Sequence, residues 1–339
     1  MNWNEFYQSL KNDDLRPVYL FTGPEVYIKA DALEALRAKL LPAGLEGLNE
    51  AILEGVDASQ IIEAAETLPV MCDRRLVVVR DWAPLLSAKS RNEEEEVKRI
   101  SEWLKNAPDT CSLVFYMRGN PDGKKKLTTL LNREAEVVRF DPLTDPELNQ
   151  WVGQRLRPLK KKMSAAAVAQ LAFTAGRELT RLSGELEKLV AYVGDRGEIT
   201  AADIQALVTP SLEYSVFEML DKLLMGDIAE AQKLMNASVE RGESRIGILA
   251  MLTRQFRSLT HMKLAMENGS TADSIEKLFK LNHYAATKMA RQARSFSVQR
   301  LTALYRDLIE TDYAIKSGQL REQAAVDLIF LKIGMEKLG

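Results

Sequence analysis

The residues placed to bind a nucleotide are those from Gly23 to Ala30, which follow the apolar run Val18-Tyr19-Leu20-Phe21-Thr22 and precede a helical stretch. A strand, a glycine-bearing loop and a helix in that order form the layout of a phosphate-binding loop. The working version reads Gly-x-x-x-x-Gly-Lys-Ser/Thr: its second glycine lets backbone N–H groups reach the phosphates, its lysine reaches the terminal phosphates, and its hydroxyl ligates magnesium. Here Ile28 stands at the second glycine and Ala30 at the hydroxyl, and only Lys29 keeps its type. Pro24 removes an amide donor, and Glu25 puts a negative charge beside a would-be anion site. The layout is therefore present without its chemistry.

Other chemistry has few parts to work with. Asp81, after Leu76-Val77-Val78-Val79-Arg80, could offer a magnesium-binding acid, or it could be a surface aspartate that ends a strand; Trp82 occupies the place of a second acid. His261 and His283 are the only histidines, and neither has metal-ligand spacing. Cys72 and Cys111, the only cysteines, adjoin apolar runs and read as half-buried reduced thiols. Glu93 to Glu96 lies at a helix start, where negative charge suits the dipole. Lys124 to Lys126 and Lys160 to Lys162 read as solvated surface or as phosphate contacts. No catalytic residue, cofactor site or metal site is expected.

The elements that position these residues can be read from the hydrophobic pattern. Strands are expected at Pro17–Thr22, Glu50–Glu54, Leu76–Arg80, Cys111–Met117 and Val137–Phe140, with helices at Ala30–Leu41, Ala58–Thr67 and Glu93–Asn106. This alternation predicts an α/β domain with a mainly parallel sheet over residues 1–140. No strand pattern returns after Asp141. Thr144 with Glu147, Ser164 before Gly176, and Thr200 with Asp203 before Pro210 mark short helices of a small all-α domain, 141–210. Longer amphipathic helices follow at Glu213–Met225, Ile228–Arg241, Arg245–Asn268, Thr271–Phe279, Tyr284–Ser295, Ser297–Ser317 and Arg321–Lys337, and predict a helical bundle over 211–339.

Composition limits the function classes. The 339 residues are 46% hydrophobic and 28% charged with a formal net charge of -2, as in a globular protein. Each of the three segments is close to neutral, so contact with nucleic acid would need a local basic patch or a composite surface. The amino terminus has no basic start followed by an apolar stretch, and no run approaches the ~18 apolar residues of a membrane span. A cytoplasmic protein is expected.

One stretch is unusual. After a helix opened by Asp57 and Gln60, Leu68-Pro69-Val70-Met71 is an apolar connection where a polar one would be usual. Proline makes it a helix end or turn, so Val70 and Met71 either project as a binding surface or tuck under the sheet.

Four segments carry a family resemblance: Val18 to Glu25, Thr67 to Val79, Gly184 to Leu189 (Gly-Glu-Leu-Glu-Lys-Leu), and Thr311 to Gly318 (Thr-Asp-Tyr-Ala-Ile-Lys-Ser-Gly). In this order, over nearly the whole chain, they resemble the family of delta subunits of bacterial DNA polymerase III, the clamp-opening member of the AAA+ clamp loader. The resemblance implies an AAA+ α/β domain, a helical lid domain and a helical collar domain for oligomerisation, in a chain that is itself no enzyme but belongs to a DNA-directed DNA polymerase complex.

The resemblance also implies partners: the sliding clamp (beta), the ATPase subunits (tau/gamma), delta-prime, and primed DNA within the complex. It maps the clamp-binding tip onto Leu68, Pro69, Val70 and Met71, where family members commonly carry bulkier residues at the last two positions. No Ser-Arg-Cys motif of an arginine finger occurs, which suits an end subunit. From the residues alone two other readings stay open: a divergent AAA+ ATPase using Lys29 and Asp81, and a helical scaffold with no clamp role.

Overall fold

The computed structural model describes residues 1–87, 93–270, 274, 278–279 and 283–334. The expected helix Thr271–Phe279 and the end of the last expected helix fall mostly or wholly outside them. The described chain divides into two compact units, Met1–Leu143 and Thr144–Gly339.

The first unit is built on β1 (Val18–Thr22), β2 (Glu50–Glu54), β3 (Arg75–Arg80), β4 (Cys111–Tyr116) and β5 (Glu136–Arg139). They form one sheet in the order β2-β3-β4-β1-β5, with every pairing parallel. Between them run α1 (Trp3–Lys11), α2 (Val26–Leu40), α3 (Glu46–Asn49), α4 (Ala58–Glu66), α5 (Glu93–Leu104) and α6 (Lys126–Glu134). The central strands read as unbroken apolar runs because both faces are covered. Val18 and Leu20 pack with Ile61 of α4, Ile100 of α5 and Leu127 of α6. On the other face Phe6 of α1 meets Tyr19 and Phe21 edge-on, at centroid distances of 5.7 and 5.2 Å. Each such buried ring contributes roughly 1.5–3 kcal/mol.

Three helices of this unit, α1, α3 and α6, go beyond the sequence expectation. α1 is opened by a reciprocal cap in which the side chains of Asn2 and Glu5 accept each other's backbone N–H. The helix α2 starts at Val26, four residues before the expected Ala30, because the Glu25 carboxylate accepts the N–H of Tyr27 and caps it there. Asp57 and Gln60 make the cap their spacing predicts, through two bonds of 3.0 Å.

The second unit holds α7 (Asp145–Leu156), α8 (Ala165–Ala175), α9 (Leu179–Val193), α10 (Ala201–Leu207), α11 (Leu212–Leu224), α12 (Ile228–Glu240), α13 (Arg245–Glu267), α14 (His283–Arg294), α15 (Val298–Lys316) and α16 (Glu322–Gly334). Its expected all-α character needs one correction: Lys162–Met163 pairs in parallel with Glu198–Ile199. Two-residue strands carry no period and so leave no pattern in a sequence. The long helices surround a core that includes Leu220, Leu252, Phe256, Leu304 and Phe330. Among the described residues no helix is long and apolar enough to cross a membrane.

The Thr200–Asp203 cap is reinforced by Arg196, whose guanidinium bonds Asp203 at 2.7 Å. That guanidinium, with the Thr200 N–H and hydroxyl, holds the Asp203 carboxyl far below its ordinary range. A carboxylate whose folded-state pKa is depressed adds stability that is present above its unfolded value and lost as pH falls. Asp203→Asn is expected to lower the melting temperature at pH 7 and to narrow its fall between pH 5 and pH 2, as read by circular dichroism; an unchanged acid profile would remove this role.

Candidate functional site

The sequence directs attention to two places in the first unit, the loop at the carboxyl end of β1 and the turn between α4 and β3.

In an open parallel sheet, ligands bind beyond the carboxyl ends of strands where the strand order reverses. Here that point lies between β1 and its neighbour β4. Gly23 has φ +109°, and a Cβ there would come within 2.3 Å of the Phe140 carbonyl oxygen, so only glycine fits. Its N–H donates to the Gly119 carbonyl at 3.0 Å, and the Glu25 N–H donates to the Phe140 carbonyl at 2.9 Å. With the Tyr27 N–H on the Glu25 carboxylate and no N–H on Pro24, loop amides that a phosphate would need already have partners.

Lys29 fills the crevice itself. Its side chain is 0% exposed, and its ammonium donates to the carbonyls of Gly23 at 2.6 Å, Met117 at 2.5 Å and Arg118 at 3.1 Å. It also lies 5.4 Å from the centre of the Tyr116 ring. Burial pushes its pKa down to about 8, against the opposing pull of Asp81 and Glu25. Three carbonyls match the three donors of an ammonium, so the geometry holds the charged form. Ile28 is buried in the core, and Ala30 is exposed.

Asp81, at φ +42°, accepts the N–H of Arg118 at 2.8 Å and pairs with its guanidinium at 3.0 Å. The expected acid thus ties the ends of β3 and β4 together. Trp82 is buried, donates to the Val56 carbonyl at 2.9 Å and stacks on Phe115.

The turn after α4 presents the expected apolar residues outward. Leu68 is 71% exposed, Val70 44% and Met71 83%, while Pro69 is half-buried. Of the two alternatives open in the sequence, projection or packing, the structure takes projection. Met71 adopts a left-handed backbone at φ +58°, which costs a non-glycine residue roughly 1–2 kcal/mol. Below the turn, Arg75 is buried and reaches the Thr67 carbonyl at 3.4 Å.

Sequence reasoning missed the residue that holds this turn. Asn49, 0% exposed at the end of α3, accepts the Val70 N–H at 2.7 Å and donates to the Val70 carbonyl at 2.9 Å and the Leu45 carbonyl at 3.1 Å. An asparagine between Leu48 and Glu50 reads as a turn or helix end, and its only signal is a small polar residue just ahead of a strand.

Some of the remaining candidates have local partners. Lys125 pairs with Glu93, Lys161 donates to the carbonyls of Gly194 and Arg196, and Lys162 pairs with Glu198. Cys72 donates to the Arg74 carbonyl at 3.1 Å, and burial pushes the Cys111 thiol up to about 12. His261 is exposed, and the His283 side chain lies outside the described residues. Among the described residues no group of three or more His, Cys, Asp or Glu could hold a metal ion.

Lys29→Met keeps the apolar stem but leaves two buried carbonyls and one partly buried carbonyl without their donor, a loss of about 2–3 kcal/mol. A correspondingly lower urea midpoint is the expected outcome; an unchanged midpoint would show that the plug contributes nothing.

Comparison with known proteins agrees with the two segments of the chain that carry most of these features. The model of the family "DNA polymerase III, delta subunit" matches residues 19–141, and that of "DNA polymerase III delta subunit, C-terminal domain" matches residues 213–333. The DNA polymerase III subunit delta of Bacillus subtilis (strain 168) is 27% identical over 333 residues, 97% of this chain and 96% of that one. That of Escherichia coli (strain K12) is 23% identical over 260 residues, 74% of this chain and 72% of its own. A solved structure, the Bacillus subtilis DNA clamp loader delta protein, superposes with a TM-score of 0.64 at 26% identity, covering 98% of this chain and 99% of that one. With both family models in their expected order and near full-length likeness in sequence and fold, the chain belongs to the family of DNA polymerase III delta subunits.

Proposed function

We propose that this clamp-loader delta subunit binds the ring-shaped sliding clamp through Leu68, Val70 and Met71 and holds one ring interface open, so that the clamp can be loaded on primed DNA. The observation that carries the reading is the set of exposed apolar side chains on a turn whose backbone is pinned from below. Three such side chains seated in a partner's pocket supply a compact anchor, and fully desolvated anchors of this kind contribute 2 kcal/mol or more. Pro69 supports the turn rather than leading the contact, since it is half-buried. Binding can drive opening only by as much as the tip prefers the open ring to the closed one.

The same reading makes the subunit non-catalytic, with ATP hydrolysis left to neighbouring ATPase subunits. The plug of Lys29 and the engaged loop amides support it. We take residues 1–140 as an AAA+-type domain, 141–210 as a lid and 211–339 as a collar that meets the ATPase subunits and delta-prime, all at work in the cytoplasm.

Changing Leu68, Val70 and Met71 together to serine is expected to weaken binding of the purified chain to the clamp by 100-fold or more, about 2.7 kcal/mol, in a surface plasmon resonance titration. Parent-like affinity in that variant would displace the tip as the site. Equilibrium dialysis with ATP and magnesium is expected to give no saturable micromolar binding; binding that is saturable and disappears in Lys29→Ala would establish the ATPase reading instead.

A further inference from the structure

The tip is held by a side chain from a distant part of the chain, and the way it is held bears on how tightly it can bind. Asn49 lies 21 residues before Val70, yet its carboxamide engages both backbone polar groups of that residue. Only one orientation of the carboxamide fits: its oxygen must face the Val70 N–H, and its nitrogen must face the carbonyls of Val70 and Leu45. Two bonds to one residue copy the pairing of an adjacent strand, so Val70 is fixed in direction as well as in place. Proline restricts the backbone on one side of Val70, and Met71 turns left-handed on the other.

We propose that Asn49 is the positioning residue for clamp binding: its two-point bond to Val70 presets the turn so that Leu68, Val70 and Met71 meet the clamp already in their bound arrangement. This rests on the clamp-binding reading above. A loose turn of four or five residues would have to be ordered on binding, at a cost in backbone freedom that lowers affinity without removing any contact. Asn49 itself is buried. Its effect passes through Val70, and it immediately precedes the edge strand β2, where Glu50 pairs with Leu76 of the strand that follows the tip.

The test uses the full chain and the purified sliding clamp. Asn49→Ala is expected to bind about tenfold more weakly than the parent and to speed amide hydrogen exchange over residues 68–72. Assembly with the ATPase subunits and delta-prime should stay unchanged, a readout that general unfolding would also damage. Asn49→Asp keeps the acceptor for the Val70 N–H but sets a carboxylate against two carbonyls; it is the second variant should the alanine form fail to fold, and it is expected to weaken binding too. In the parent, the Val70 amide is expected to exchange slowly despite its exposed surroundings. Parent-like affinity in either folded variant, or rapid exchange of the Val70 amide in the parent, overturns the proposal. If Asn49 has no effect while the triple serine variant loses binding, the positioning role falls and the clamp-binding reading stands. If the triple serine variant binds like the parent, the site assignment falls and this proposal falls with it.

Discussion

The ammonium of Lys29, held by three carbonyls at the carboxyl ends of β1 and β4, is the contact that organises the first unit. It closes the crevice in which a parallel sheet ordinarily receives its ligand, and it does so with the side chain that in a working loop reaches the phosphates. A buried charge is tolerated only when its donors are matched, and three backbone acceptors match an ammonium. The tight turn at Gly23 delivers one of those acceptors, and Asp81, by tying Arg118 to the end of β3, steadies another. The chemistry absent from the loop has thus become structure.

The activity proposed for this unit lies instead at the turn between α4 and β3. Its physics is opposite in kind. The loop engages Lys29 and the N–H groups of Gly23, Glu25 and Tyr27 internally, whereas the turn leaves Leu68 and Met71 in water and fixes the backbone beneath them. Exposed apolar side chains on a mobile segment would collapse onto the nearest apolar surface. Pinning by Asn49 and the left-handed backbone at Met71 keep them apart from the sheet. The rest of the unit serves as a rigid mount, with central strands buried on both faces and aromatic rings packed edge to face.

Much of this was legible in the sequence, and the omissions share a cause. The central strands β1, β3 and β4 could be read because apolar runs buried on both faces leave a dense local signal. The failure of the loop could be read because Ile28 and Ala30 violate a spacing in which each residue type has a separate task. The tip residues were legible, but their exposure was open, since a loop beside a sheet tucks under it as readily as it projects. Asn49 was invisible because its role is a contact across 21 positions, and no local pattern encodes it. The early start of α2 is hidden because Glu25 reads in sequence as a charge beside an anion site, whereas in the fold it caps Tyr27. The pairing of Lys162–Met163 with Glu198–Ile199 is too short for any period to announce it.

The engagement of Lys29 also bears on how such a chain could change over generations. A nucleotide site could not be restored by reinstating a glycine and a hydroxyl at positions 28 and 30, because the lysine would still be bound to its carbonyls and the loop amides to theirs. Releasing it first would leave buried acceptors bare and weaken the fold before any new activity appeared to compensate. Release of the lysine is therefore a step downhill in stability. The loop thus differs from a working phosphate site by more than two residue types, since the engaged lysine and amides, and not only positions 28 and 30, would have to change.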